Sequence, residues 1–328
     1  VYFVCFVVLS FRSVAFHLFG EIAVRHVLTL FELSTEEIKR VFAISADLKS
    51  NLQRGVREAV LRGRVLAMLF EKQSLRTRVS FEAGMAHLGG TSLFLGNDVG
   101  WGKRESIADF ASVLGQYADA IVCRANCHTK VEDLAKYADC PVINGLTDKA
   151  HPCQALADLF TLQEHFGSLA GRKLAFIGDA NNVAASLAVC CGKLDMQFTI
   201  ASPTGYQFDK GFLAELQRSI PNVKLTQTND PMEAVKGACA VCTDVWASMG
   251  QEAEQEVRAK AFAPYQVNPK LMSQAPKEAR FLHCLPARRG EEVTDEVIDG
   301  PQSSVIEEAA NRMHVQKGLL VWLLTEAE

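Results

Sequence analysis

The sequence has no apolar run long enough to cross a bilayer as a helix, no internal repeat and no low-complexity tract. A helical membrane protein, a solenoid and a disordered chain are therefore poor descriptions of it. Charge of one sign is also scarce: 34 Lys and Arg stand against 38 Asp and Glu, a net charge of −4. That balance lacks the basic excess by which nucleic-acid binders announce themselves. Zinc and disulfide spacings are missing too, although cysteine itself is plentiful at 10 residues. Cys190 and Cys191 fall in an apolar helical stretch and Cys239 and Cys242 in an apolar strand. There they read as small buried hydrophobes in a reducing, cytoplasmic compartment. The lone Cys239-Ala-Val-Cys242 pair has no second pair at zinc spacing, and Cys123, Cys127 and His128 lack further ligands.

What is present is a soluble globular composition, 48% hydrophobic and 22% charged, over 328 residues, enough for two domains with their own cores. Residues 1–24 open on an apolar stretch without the basic cluster or cleavage site of a signal peptide, and read as an extension ahead of a folded unit beginning near His26. A helix is expected from Thr35, capped by Ser34 or Thr35 and carrying Glu36 and Glu37 in its first turn. Residues 64–70 form a short continuous apolar run, the mark of a strand buried on both faces. A helix with Phe81, Met85 and Leu88 on one side follows and stops at Gly89-Gly90. Strands at 91–95, 120–123 and 142–144 alternate with helices at 105–117 and 131–138. After His151 a second series begins, with strands at 173–177, 197–201, 224–227, 238–243 and 280–284 between helices, and a last helix spans about 304–324. This alternation predicts an α/β protein of two domains, each a parallel sheet flanked by helices.

In such sheets ligands bind beyond the carboxyl ends of the strands. Four segments stand there. Ser74-Leu-Arg-Thr-Arg78 opens a helix, where free amides and the positive dipole end attract anions. Two arginines in a first turn oppose that dipole, a conflict resolved if a phosphate docks against Ser74, Thr77, Arg76 and the amides. Arg78 serves equally well as a partner for Glu71, Glu82 or Glu105. His151-Pro-Cys-Gln154 puts an imidazole at a helix entrance, where the dipole lowers its pKa and leaves a neutral donor, and Gln154 offers an amide to an uncharged NH2 group. Asp244-Val-Trp-Ala-Ser-Met-Gly250 ends a strand with an acid fit to receive an ammonium group, and Ser248 and Gly250 form a loop able to close over a carboxylate. His283-Cys-Leu-Pro286 ends another strand, its thiol a nucleophile, an orienter or a filler. Between them, Gly178-Asp-Ala-Asn-Asn182 lacks the dinucleotide glycine fingerprint; Asn181 and Asn182 suit a zwitterionic ligand, with a helix cap the alternative for one of them.

Taken in order, these segments resemble the aspartate/ornithine carbamoyltransferase family across nearly all of residues 26–328, and the H-C-L-P and D-V-W-x-S-M-G segments are similar to its ornithine branch. The resemblance implies a cleft between a carbamoyl-phosphate-binding domain (25–150) and an ornithine-binding domain (151–300), with a terminal helix (301–328) returning to the first. It implies that Ser74, Leu75, Arg76, Thr77, Arg124, His151, Gln154, Cys284, Leu285 and Arg312 hold carbamoyl phosphate. Asn182, Asp244, Ser248 and Met249 would bind L-ornithine, and Arg124, His151, Asp244 and Cys284 would carry the catalysis. Citrulline and phosphate would be the products, in arginine biosynthesis. No metal or organic cofactor and no nucleic-acid or membrane partner is implied, and a homotrimer with shared sites is. The sequence departs from the family at Gly100, which stands where a glutamine reaching carbamoyl phosphate is common. Carbamoyl transfer to a modified amine (acetylornithine or putrescine) and a non-catalytic ligand-binding homologue are the alternatives.

Overall fold

The computed structural model describes residues 24–247 and 252–326. Its first half runs α1 (Thr35–Gln53), β1 (Val65–Phe70), α2 (Leu75–His87), β2 (Thr91–Leu95), α3 (Ile107–Tyr117), β3 (Ala120–Arg124), α4 (His128–Tyr137) and β4 (Val142–Leu146). Helix α5 (Pro152–Phe166) leads to β5 (Lys173–Ile177), α6 (Asn182–Lys193), β6 (Gln197–Ala201), α7 (Lys210–Ser219), β7 (Lys224–Thr228), α8 (Pro231–Val235) and β8 (Ala240–Thr243). The chain closes with α9 (Gln255–Phe262), α10 (Pro269–Met272), β9 (Arg280–His283), α11 (Asp295–Ile298) and α12 (Val305–Thr325).

The alternation builds two sheets, ordered β2-β1-β3-β4 and β7-β6-β5-β8-β9, with every pairing parallel. The continuous apolar runs β3 and β8 lie inside their sheets and are buried along their whole length. The outer strands β2 and β7 are largely exposed or half-buried. Local signals act as their chemistry dictates. Ser34 and Glu37 close a reciprocal capping box on α1. Pro152 occupies the first turn of α5, where no N–H is needed, and Gly167 ends it.

One apolar cluster joins the two sheets, running from Phe42 of α1 through Phe160 of α5 to Phe176 of β5 and Leu319 of α12. Phe42 and Phe160 meet edge to face with ring centres 5.6 Å apart. Separate clusters cover the outer faces of the first and second sheets. Helix α12 packs on α1, α2, α5 and β9, so it belongs to both halves. Its contact with α1 is close enough to require glycine: a Cβ on Gly318 would stand 2.7 Å from the Val41 carbonyl oxygen.

Candidate active site

In each sheet the strand order reverses beside the first strand, β1 lying between β2 and β3, and β5 between β6 and β8. At such reversals the loops leaving neighbouring strands part and open a crevice at their carboxyl ends. Both crevices give onto one cleft of about 800 Å³. The turns after β1, β3, β4, β5, β8 and β9 line it, together with Arg312 of α12. All four motif segments therefore converge.

On the first-domain side, Ser74 caps α2: its Oγ accepts from the Thr77 N–H at 3.3 Å and donates to Thr77 Oγ1 at 3.0 Å. The two arginines of this turn part company. Arg78 turns away, donating to Glu82 at 3.0 Å and lying 3.8 Å from the ring centre of Phe94. Arg76 lines the cleft, and among the described residues no carboxylate pairs with it. Two more guanidinium groups join it. Arg124 ends β3 and Arg312 projects from α12; both are buried, and they donate to Thr77 Oγ1 at 3.4 and 2.9 Å. Burial first, then the charges of Arg312 and Arg76, bring the Arg124 pKa down to about 10. The Nε atoms of Arg124 and Arg312 and the Nδ1 of His151 are buried without a partner among the described residues. Concentrated positive charge with unspent donors is the electrostatic description of an anion site.

His151 stands at the N-cap of α5, its backbone N–H held by Ser186 Oγ at 2.8 Å. Its pKa is well below the ordinary value, the direction the sequence predicts. Burial comes first, followed by the charges of Arg312 and Arg124. The ring is a neutral imidazole.

Across the cleft, Asp244 follows β8. Its Oδ1 accepts from the Val245 N–H at 2.8 Å and from the Cys284 thiol at 3.2 Å, and its Oδ2 accepts from Asn181 Nδ2 at 2.8 Å. Asn181 is also the N-cap of α6, accepting from the N–H groups of Val183 and Ala184. The cap alternative therefore describes Asn181, which orients Asp244 as well. Asn182 lines the cleft and donates to the Thr147 carbonyl at 2.6 Å. Burial, then the Asp244 and Glu308 carboxyls, push the Cys284 thiol well up. The protonated thiol donates to Asp244. Leu285 lines the cleft beside it, with a backbone φ of +55°.

Two of the expected carbamoyl-phosphate residues lie beneath the cleft surface. Gln154 is fully buried and does not reach the cleft surface: its Nε2 donates to Asp158 at 2.7 Å and Glu308 at 2.6 Å, and its Oε1 accepts from Arg312 at 2.9 Å. Both hydrogens of its NH2 group are spent inside the protein, and its oxygen already accepts from Arg312. Thr77 is likewise fully buried and acts as the acceptor at which two arginines meet. Ser248, Met249 and Gly250 lie outside the described residues. At the point of departure, Gly100 has φ +68° and a Cβ there would stand 3.0 Å from the Arg104 side chain, so the position is shaped for glycine. Residues 97–105 do not line the cleft of their own chain. Asn126, Thr147, Asp148 and Asp179 line it without having been singled out from the sequence. Each lies within two residues of a strand's end, the one signal that could have found them.

Both halves of the chain match models of one family. The aspartate/ornithine carbamoyltransferase carbamoyl-P binding domain matches residues 25–164, and the Asp/Orn binding domain of the same family matches 170–323. The chain belongs to the aspartate/ornithine carbamoyltransferase family. Within it, the chain is 52% identical over 307 residues to the ornithine carbamoyltransferase of Bacillus subtilis, covering 93% of this chain and 95% of that protein. It is 51% identical over 303 residues to that of Carboxydothermus hydrogenoformans, covering 92% and 97%. Among solved structures, the ornithine carbamoyltransferase of Pyrococcus furiosus superposes with a TM-score of 0.88 at 47% identity, over 92% of this chain and 97% of that one.

Proposed function

We propose that the protein is an ornithine carbamoyltransferase, converting carbamoyl phosphate and L-ornithine to L-citrulline and phosphate. The observation that carries this is the opposition, in one cleft, of three guanidinium groups with unspent donors to an Asp244–Cys284 pair. One wall suits a phosphate dianion with a polarised carbonyl; the other suits an amine.

The phosphate occupies the turn opening α2, held by its amides, Ser74 and Arg76. Arg124, Arg312 and the neutral His151 donate to the carbonyl oxygen as it becomes an oxyanion, each such donor being worth about 3 kcal/mol. Asp244 and Asn182 hold ornithine, with Ser248 and Met249 assigned to the same substrate. Asp244 and Cys284 together place the neutral δ-amine beside the carbonyl carbon. The N–C bond forms, the C–O bond to phosphorus breaks, and the amine proton leaves with the phosphate. Positioning and electrostatics supply the rate.

The finer assignments are part of the same proposal. They are the division at residues 25–150, 151–300 and 301–328, a cytoplasmic location, a role in arginine biosynthesis and a homotrimer. The buried free cysteines support a reducing compartment. Val79, Leu93 and Phe94, exposed beside the edge strand β2, support self-association. An assay of carbamoylated product and released phosphate with a panel of amines tests the central claim: ornithine should be turned over to citrulline, and acetylornithine and putrescine should not react. Absence of citrulline with every amine would overturn it.

A further inference from the structure

Behind Arg312 lies a polar cluster that touches no part of the cleft surface. Asp158 of α5 and Glu308 of α12 are both about 1% exposed, and Asp158 Oδ2 has no hydrogen-bond partner among the described residues. Two carboxyl groups side by side in an apolar interior cannot both be ionised. Burial pushes both carboxyls up, so the two share one proton between them. Into this pair Gln154 inserts its NH2 group, one hydrogen to each carboxyl. That fixes which way the amide faces, since only its oxygen can then meet the Arg312 guanidinium, at 2.9 Å. The second Glu308 oxygen accepts from the His283 N–H at 2.9 Å, immediately before Cys284. Helix α12 thus carries both Arg312 and the group that aligns it.

We infer that Glu308, bridged to Asp158 by the Gln154 amide, is a positioning residue that acts through Gln154 to hold Arg312 for the carbamoyl-phosphate side of the cleft and through the His283 amide to hold Cys284 for the amine side. This rests on the proposed carbamoyl transfer, and it assigns to a buried pair the alignment of two walls of one site.

The test is a double-mutant cycle in the full-length protein, with the KM for each substrate and kcat measured for Glu308→Ala, Gln154→Ala and the double variant. Loss of a hydrogen bond to a charged group should raise the KM for carbamoyl phosphate roughly tenfold to a hundredfold in either single variant. If Glu308 acts through Gln154, the double variant is no worse for carbamoyl phosphate than the worse single one. Gln154→Ala should leave the ornithine KM within about twofold, whereas Glu308→Ala should raise it as well. The isosteric Glu308→Gln keeps one carbonyl acceptor and should fall between wild type and Glu308→Ala; it also serves if the alanine variant does not fold. Additive effects, or a Glu308→Gln protein with wild-type constants for both substrates, overturn the inference. Should the wild-type protein form no citrulline, the proposed reaction fails. The same cycle read by calorimetry of carbamoyl-phosphate binding then still decides whether Glu308 and Gln154 act together.

Discussion

Thr77→Val isolates one oxygen atom. Thr77 is fully buried at the start of α2, and its Oγ1 accepts from Arg312 at 2.9 Å and from Arg124 at 3.4 Å. Valine has nearly the same shape and an equivalent helix propensity, so neither a cavity nor a backbone effect intrudes. What is lost is the acceptor. The 2.9 Å contact from a guanidinium is of normal length and worth about 2 kcal/mol; the 3.4 Å contact adds a fraction of that. Arg312 keeps its bond to Gln154 at 2.9 Å, so it pivots about that anchor instead of leaving. Expressed as catalysis, about 2 kcal/mol is roughly a thirtyfold fall in kcat/KM for carbamoyl phosphate. Steady-state citrulline formation with carbamoyl phosphate varied at saturating ornithine measures it, with the ornithine KM as internal control. Thr77→Ser keeps the hydroxyl and should remain within about threefold of wild type. A valine variant with wild-type kinetics, or a serine variant as damaged as valine, would show that the hydroxyl does not align the arginines.

Asp244→Asn forces an amide to face two donors, the Cys284 thiol and Asn181 Nδ2, with only one oxygen to offer. Ornithine turnover should fall at least about a hundredfold while the affinity for carbamoyl phosphate, measured by calorimetry, changes little; equal loss of both would point to misfolding. With its thiol pushed well up, Cys284 should stay largely unalkylated by iodoacetamide at pH 7.5, and rapid labelling in a peptide mass map would contradict the neutral-donor role. His314, on α12, has its pKa lowered to about 4, chiefly by burial. The unfolded chain therefore binds more protons between its ordinary pKa and that value, so the residue's contribution is intact above pH 6.5 and erodes as pH falls toward 4. Denaturant titrations of His314→Gln and wild type across that window should differ in slope by up to about 1.4 kcal/mol per pH unit. Parallel curves would exclude this residue as a source of acid sensitivity.

Much of the architecture is legible because strands buried on both faces leave a continuous apolar signature, as in β3 and β8, and because caps such as Ser34 and Pro152 mark helix starts. The convergence of the motif segments follows from the same source, since residues at strand ends share one edge. What sequence pattern does not reveal is depth. Gln154 and Thr77 lie one helical turn inside a motif, and only packing decides that their polar atoms face other protein groups and not the cleft. Arg76 and Arg78 are two residues apart on a helix and so point to different sides; which one meets a carboxylate depends on Glu82, one turn further on. Glu308 reads as an ordinary acid in a first helical turn, favourable to the dipole. Nothing in its neighbourhood along the chain discloses Asp158, 150 positions earlier in the numbering.

Helix α12 fills a groove between α1, α2 and α5 although it is made after every strand of both sheets. During synthesis the amino-terminal half therefore emerges with the apolar surface that α12 covers still open, and completing its core requires the last helix. The half translated first is thus completed by the segment translated last.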